Sequence, residues 1–259
     1  MKDQLINYLK KTNRFYLMFS GGFDSSAILG SALEAGLDVV PVWIDNGFNR
    51  VTEKDIRQQA ANMGCYNLEI IRMQPHQNVL KNPVDRCYHC KGQIIHPVIS
   101  RKDAPVFDGT NASDSTNYRP GVKALRKGGV KSPLAELQIT KEQARELAIT
   151  LGADPVIANM EGCLATRFNY KVEITTEKLN ILREIEQYIL KTTGDHHLRC
   201  RLDDEDHLRI ECRSQAAFLK LIEPEFREKI VKTGKQIATF VTLDLEGARK
   251  NAFDKKLGL

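Results

Sequence analysis

No stretch of this 259-residue chain approaches the roughly 20 consecutive apolar residues of a membrane-crossing helix, so no membrane partner is expected. The opening MKDQLINYLKK is short, amphipathic and polar, unlike a secretory leader, and a cytoplasmic chain is the expectation. Six cysteines, at 65, 87, 90, 163, 200 and 212, are too few to staple a chain of this size. No internal repeat or low-complexity tract is visible. Two common nucleotide signatures are missing as well: there is no GxxxxGK followed by Ser or Thr, and no GxGxxG. What remains is an ordinary soluble composition, 42% hydrophobic and 27% charged, in a chain long enough for one large or two small domains. The net charge of +5 is compatible with an anionic ligand such as a nucleotide or RNA, and equally with a solvated basic surface.

Apolar runs alternate with helix-compatible segments through the first half. Phe15–Phe19, Asp38–Ile44 (despite Pro41), Leu68–Ile71 and Val106–Phe107 read as strands. Helices are expected over Ser25–Ala35 with Gly36 as its C-cap, over Thr52–Met63 with Thr52 as N-cap, over 86–100, and over Thr140–Leu151, where Thr140 and Gln143 form a capping box. This order predicts an α/β fold with a doubly wound parallel sheet.

In such sheets ligands sit at the carboxyl ends of strands. FSGGFDSS, Phe19 to Ser26, falls there. Gly21 and Gly22 allow close backbone approach, Ser20, Ser25 and Ser26 supply hydroxyls, and the helix that follows aims unbonded amides at an anion. The stretch reads as a pyrophosphate cradle. It resembles the PP-loop of the ATP pyrophosphatase family, which cleaves ATP between the α- and β-phosphates and adenylates a substrate. That resemblance implies that Ser20 to Ser26, Asp24 included, hold the pyrophosphate end of ATP, with Asp45 of WIDNG near the nucleotide. By its own residues, Asp-Asn-Gly is equally a strand-ending turn.

DRCYHCK carries Cys87 and Cys90 at metal-ligand spacing, and Cys163 stands alone in EGCLATRF. A CxxC pair has three readings: a zinc site, for which His89 and His96 are further donors, a redox disulfide, or two ligands of an iron–sulfur cluster. Cys163 is either a small buried thiol or a reactive one, which Arg167 would favour as thiolate.

Further motifs carry a closer resemblance. DGTNASD (Asp108 to Asp114), YRPG (Tyr118 to Gly121), SPLAE (Ser132 to Glu136), CLATR (Cys163 to Arg167) and VTLDLEG (Val241 to Gly247), with RCYHCK and SGGFDSS, are similar to the LarE family over nearly the whole chain and in order. LarE proteins are PP-loop sulfur transferases of nickel-pincer nucleotide biosynthesis. The resemblance implies adenylation of a pyridinium carboxylate mononucleotide, then replacement of AMP by sulfur. Cysteines at all three positions point to the branch in which Cys87, Cys90 and Cys163 hold a 4Fe–4S cluster with one iron open for sulfide. The alternative branch sacrifices the sulfur of Cys163. The resemblance also implies a second nucleotide loop at Gly109, Thr110 and Asn111, Asp24 and Asp114 as candidate magnesium ligands, Arg167, Arg199 and Arg201 as binders of the substrate phosphate, sulfide or another sulfur donor as partner, and a homo-oligomer. By its residues the second loop could equally be a simple Asx turn.

In the C-terminal part, Leu179, Leu182, Ile185 and Ile189 form a helical stripe read as core or subunit interface. Leu198, Cys200 and Leu202, then Leu208, Ile210 and Cys212, alternate with charged residues, which predicts a β-hairpin with one buried and one charged face. On this reading Cys200 and Cys212 are structural and the arginines are a solvated face, beside the phosphate-binding role that the resemblance implies for them. The boundary is expected near residue 170, giving a PP-loop domain over 1–169 and a smaller α+β domain over 170–259. Two other functions compete: a related enzyme that thiolates tRNA, for which no broad basic surface or added RNA-binding domain is found, and a zinc-stabilised nucleotide-binding regulator that would not release pyrophosphate.

Overall fold

Alternate residues of the first strands enter different cores. Phe15, Leu17, Val39, Trp43 and Phe107 join one buried cluster, and Tyr16, Val40, Val42, Ile44 and Val106 another. The sheet they form is therefore covered on both faces, as a parallel sheet requires. The structure, a computed structural model, describes residues 1–116, 120–160, 162–203, 206–249, 253–254 and 258. Tyr118 and Arg119 of YRPG, Glu161, and Asp204 and Glu205 of the acidic turn lie outside the described residues.

In chain order the elements are α1 (Lys2–Leu9), β1 (Arg14–Met18), α2 (Phe23–Glu34), β2 (Asp38–Asp45), α3 (Glu53–Asn62), β3 (Glu69–Arg72), α4 (Gln77–Leu80), α5 (Arg86–Ile99), β4 (Val106–Phe107), α6 (Pro120–Lys127), α7 (Pro133–Glu136), α8 (Lys141–Thr150), α9 (Pro155–Asn159), α10 (Thr176–Thr193), β5 (Arg199–Asp203), β6 (His207–Glu211), α11 (Gln215–Ile222), α12 (Pro224–Gly234) and β7 (Phe240–Leu243). The described residues divide into two compact units, Met1–Pro75 with Cys87–Gly162, and His76–Arg86 with Cys163–Leu259.

The first unit is an α/β domain whose parallel sheet has the order β3-β2-β1-β4. The order reverses at β1: β2 and β3 follow on one side and β4 pairs on the other. The carboxyl ends of β1 and β4 therefore flank a topological switch point, where open α/β sheets take their ligands. Two capping boxes fix helix starts around it. Thr140 and Gln143 close α8 as expected, and Thr52 closes α3 with Asp55 as its partner. The helix expected from Ser25 begins earlier, at Phe23, which brings Asp24 and Ser25 into its first turn.

The second unit holds a mixed sheet of order β5-β6-β7, with β5 and β6 antiparallel and β6 and β7 parallel. Leu179, Leu182, Ile185 and Ile189 are buried, as are Leu198, Cys200, Leu202, Leu208, Ile210 and Cys212. The charged face of the hairpin differs from expectation. Arg201 is only 6% exposed and Glu211 fully buried, because they pair with each other rather than with water. The division at Gly162/Cys163 also differs from a boundary at 169/170. Residues 163–169 join the second unit because Phe168 bridges to Leu202 and Asn169 N–H donates to Leu202 O. Residues 76–86 join it through Asn82, whose side chain donates to the carbonyls of Asn169 and Val172, and whose own carbonyl accepts from Lys171 N–H. Among the described residues no helix is long and apolar enough to cross a membrane.

Candidate functional site

The loop after β1 is shaped by glycine and loosely bonded by serine. Gly21 has φ +77°, and a Cβ there would stand 2.4 Å from Ile56 Cδ1, so position 21 admits only glycine without rearrangement. Gly22 is the N-cap of α2, a 12-residue helix. Ser20 and Ser25 hydroxyls lie 3.2 Å apart, Ser25 Oγ donates to Gly22 O at 3.2 Å, and Gly22 N–H reaches Ser20 Oγ at 3.4 Å. These are long contacts, at the weak end of the hydrogen-bond range. Ser26 is fully buried, and its hydroxyl has no hydrogen-bond partner among the described residues. Donors held this loosely at a helix N-terminus suit an anion that would draw them together.

The loop after β4 comes to the same place. A Cβ on Gly109 would meet Ser25 N at 2.9 Å and Asp24 Cβ at 3.2 Å, so the two loops touch backbone to backbone. Asn111 Nδ2 donates to Asp24 Oδ2 at 3.1 Å, and Asn111 N–H approaches Asp114 Oδ2 at 3.4 Å. Asn111 Oδ1 also accepts from Ser113 N–H at 2.9 Å, so the loop contains the Asx turn as well as the contact to Asp24. The buried carboxylate of Asp108 anchors this loop, accepting from Thr110 Oγ1 and Ser132 Oγ, each at 2.6 Å. Asp108 lies inside DGTNASD and Ser132 inside SPLAE, and a carboxylate directly before a Gly-Thr turn is the sequence signal of such an anchor. Asp45 ends β2 and its Oδ1 accepts from Gly47 N–H at 3.1 Å, which is the strand-ending turn.

Cys87 and Cys90 lie one turn apart at the start of α5; Cys87 is exposed and Cys90 half-buried. Asn46, just beyond β2, donates Nδ2–H to Cys90 Sγ at 3.5 Å. That contact sets the start of α5 at the carboxyl end of the parallel sheet, the edge that carries the two loops. Gly121 lies against Cys87, with 3.5 Å between its ideal Cβ position and Cys87 O. Two thiols on one helical turn, one of them receiving an amide N–H, suit a soft metal. Among the described residues, no three His, Cys, Asp or Glu side chains are grouped to hold a metal ion.

In the second unit, Cys163 is exposed, and its carbonyl accepts from the Thr166 N–H and hydroxyl, at 3.1 and 2.7 Å. The three arginines expected around a phosphate are held as follows. Arg167 is buried and forms a two-pronged pair with Glu186, Nε to Oε1 at 2.5 Å and Nη2 to Oε2 at 3.1 Å. Burial opposes its charge, but Glu186, with smaller help from Cys163 and Cys200, raises the guanidinium above its ordinary pKa. Arg201 donates Nε to Glu211 at 2.9 Å, Nη1 to Thr166 O and Nη2 to Arg249 O. Arg199 folds back on its own loop, donating Nη1 to His196 O and Leu198 O.

No family model matches the chain. It is 30% identical to an uncharacterized protein of Synechocystis over 98% of this chain and 97% of that one. An uncharacterized protein of Methanocaldococcus jannaschii is 30% identical over 72% of this chain and 74% of its own length. A third relative, 26% identical over 99% of this chain and 94% of its own, is the pyridinium-3,5-bisthiocarboxylic acid mononucleotide synthase of Lactiplantibacillus plantarum.

Proposed function

The chain belongs to the LarE-like family, and on that premise we propose that it is an ATP-dependent sulfur transferase acting on a pyridinium carboxylate mononucleotide. The observation that carries the reading is the meeting of the Ser20–Ser26 loop with the Gly109–Asn111 loop at the β1/β4 switch point, through Gly109 against Ser25 and Asn111 against Asp24. The distant synthase relative supports the choice of substrate.

A carboxylate resists sulfur nucleophiles because it is anionic and its oxide leaves badly. Attack of the carboxylate oxygen on the α-phosphorus of ATP forms an acyl–O–AMP bond and releases pyrophosphate. Sulfide then attacks the acyl carbon, the C–S bond forms, the C–O bond to AMP breaks, and AMP departs with the electron pair. The first amides of α2, with the hydroxyls of Ser20, Ser25 and Ser26, bind the pyrophosphate end and stabilise it as it leaves. Asp24 and Asp114, both tied to Asn111, would hold magnesium through one or two carboxylates, the arrangement this ion takes beside phosphates. Cys87, Cys90 and Cys163 are the proposed ligands of a 4Fe–4S cluster, which when bound would supply sulfide on its fourth iron.

One observation favours a second reading of the sulfur source. Cys163 is exposed, as a thiol that must reach a bound acyl-adenylate has to be. In the sacrificial route its thiolate displaces AMP to form a thioester. Loss of the Cα proton with cleavage of the Cβ–S bond then leaves a thiocarboxylate and dehydroalanine at 163. The test is pyrophosphate release dependent on the mononucleotide, with iron and sulfide assayed after anaerobic purification and the protein weighed after turnover. Release without the mononucleotide's participation defeats the transferase reading. A mass loss of one hydrogen sulfide at Cys163 replaces the cluster route by the sacrificial one.

A further inference from the structure

Gln59 is a wholly buried polar side chain on α3, and both its amide nitrogen and its oxygen are bonded. Nε2 donates to Gly21 O at 3.0 Å and to Asp154 O at 3.3 Å, while Oε1 accepts from Asp154 N–H at 2.8 Å. Asp154 is itself fixed as the N-cap of α9, its Oδ1 accepting from Val156 N–H at 2.7 Å. The clamp therefore runs from one anchored helix start, through Gln59, to a single carbonyl of the loop after β1.

That carbonyl decides where an amide points. A peptide unit is planar and trans, so the Gly21 C=O and the Gly22 N–H point in opposite directions. With Gly21 O held toward α3, Gly22 N–H is turned away from α3, on the side where it meets Ser20 Oγ at 3.4 Å. Nothing intrinsic to Gly21 selects this plane, since glycine visits positive and negative φ about equally. Ile56, one turn earlier on α3, occupies the space a Cβ on Gly21 would need, which restricts the residue type but bonds to nothing.

We infer that Gln59 is a positioning residue for nucleotide binding: it locks the Gly21–Gly22 peptide so that the Gly22 N–H joins the first amides of α2 in facing the pyrophosphate. The inference rests on the ATP reading of this loop. Shape and bonding come from different side chains, so they can be separated. Gln59→Glu retains size and the bond from Asp154 N–H, yet loses the donor to Gly21 O. Gln59→Met removes both bonds without adding charge. Ile56→Val loosens the packing and leaves the clamp intact.

The test uses full-length protein, with the MgATP KM from pyrophosphate release, thermal stability, and the Gly22 amide resonance followed during titration with inorganic pyrophosphate. In the wild type the Gly22 amide moves and saturates. Both Gln59 variants raise the MgATP KM by about tenfold or more with kcat within about threefold, while Ile56→Val stays within about twofold of wild type. In the Gln59 variants the Gly22 amide no longer responds to pyrophosphate. Gln59 variants that match Ile56→Val in KM, or that keep the Gly22 response, overturn the inference. If a Gln59 variant does not fold, the wild-type titration decides: a static Gly22 amide while Ser25 moves overturns it, and a moving one supports it. If the wild type binds neither MgATP nor pyrophosphate, the ATP reading falls and this inference with it, a result distinct from wild-type binding with indifferent variants.

Discussion

The loops at the β1/β4 switch point and the arginine core of the second unit treat polar groups in opposite ways. Around α2 the hydroxyls and amides hold one another at 3.2 to 3.4 Å, and the Ser26 hydroxyl is unbonded among the described residues. In the second unit Arg167 and Arg201 sit in contacts to fully buried carboxylates, and Arg201 donates two further N–H groups to the carbonyls of Thr166 and Arg249. A buried charge that is fully paired stabilises the arrangement it sits in, and exchanging that pairing for a ligand is expensive. A donor bonded weakly at a helix N-terminus gains by meeting an anion. The difference teaches which polar residues are scaffold and which await a partner, a distinction that residue type alone conceals.

The largest effect expected of a single change bears on the metal reading. Cys87→Ala should abolish bound iron in anaerobically purified protein and abolish sulfur transfer, whereas pyrophosphate release with the mononucleotide should persist. Retained transfer would assign the sulfur to Cys163. Next is Glu186→Ala, which strands the Arg167 guanidinium and should destabilise the fold by about 3–5 kcal/mol in denaturant titration. If Arg167 is instead available to a ligand, the loss will be far smaller. A third substitution sharpens the contrast from the other side. Ser20→Ala should leave stability within about 0.5 kcal/mol, as for a half-buried hydroxyl at a loop position, while raising the MgATP KM by about tenfold.

Periodicity and turn chemistry made most of the first unit legible. The β-runs around Phe15, Val39 and Ile70, the box at Thr140, the N-cap at Thr52, and the glycine pair after β1 are local signals, and they lie where the strands and helices are found. The meeting of Gly109 with Ser25 follows from strand order, which no local pattern encodes. Arg201 departs from the wet face that strict alternation predicts, because a diagonal partner, Glu211, takes its guanidinium out of water. Gln59 was invisible for a related reason: its partners lie 38 and 95 residues away in the chain. The placement of residues 76–86 in the second unit depends on Asn82, whose bonds reach 87 and 90 residues onward.

The smallest expected effect concerns Asp195, a carboxylate of the scaffold kind that should reveal itself by pH. It is buried, with Oδ2 accepting from Arg213 N–H at 2.7 Å and Ser214 N–H at 3.0 Å, and Oδ1 from His197 N–H at 2.9 Å. Burial pushes its pKa upward, but these backbone N–H groups, with a smaller pull from His197, outweigh burial and hold it below the usual carboxylate value. A depressed pKa means stability that is complete above the unfolded value of about 3.9 and lost as pH falls through the folded one. Asp195→Asn should therefore destabilise the protein by roughly 1 kcal/mol at neutral pH, with the gap to wild type closing below about pH 4. The His197 imidazole gives an independent check. Burial, then Arg213 and Arg199, lower its pKa, while Asp195 raises it. Removing the carboxylate should drop the His197 pKa further, measurable by NMR titration. An unchanged His197 in Asp195→Asn would mean that Asp195 is engaged only with the backbone, and would leave the acid sensitivity of this corner to the histidine alone.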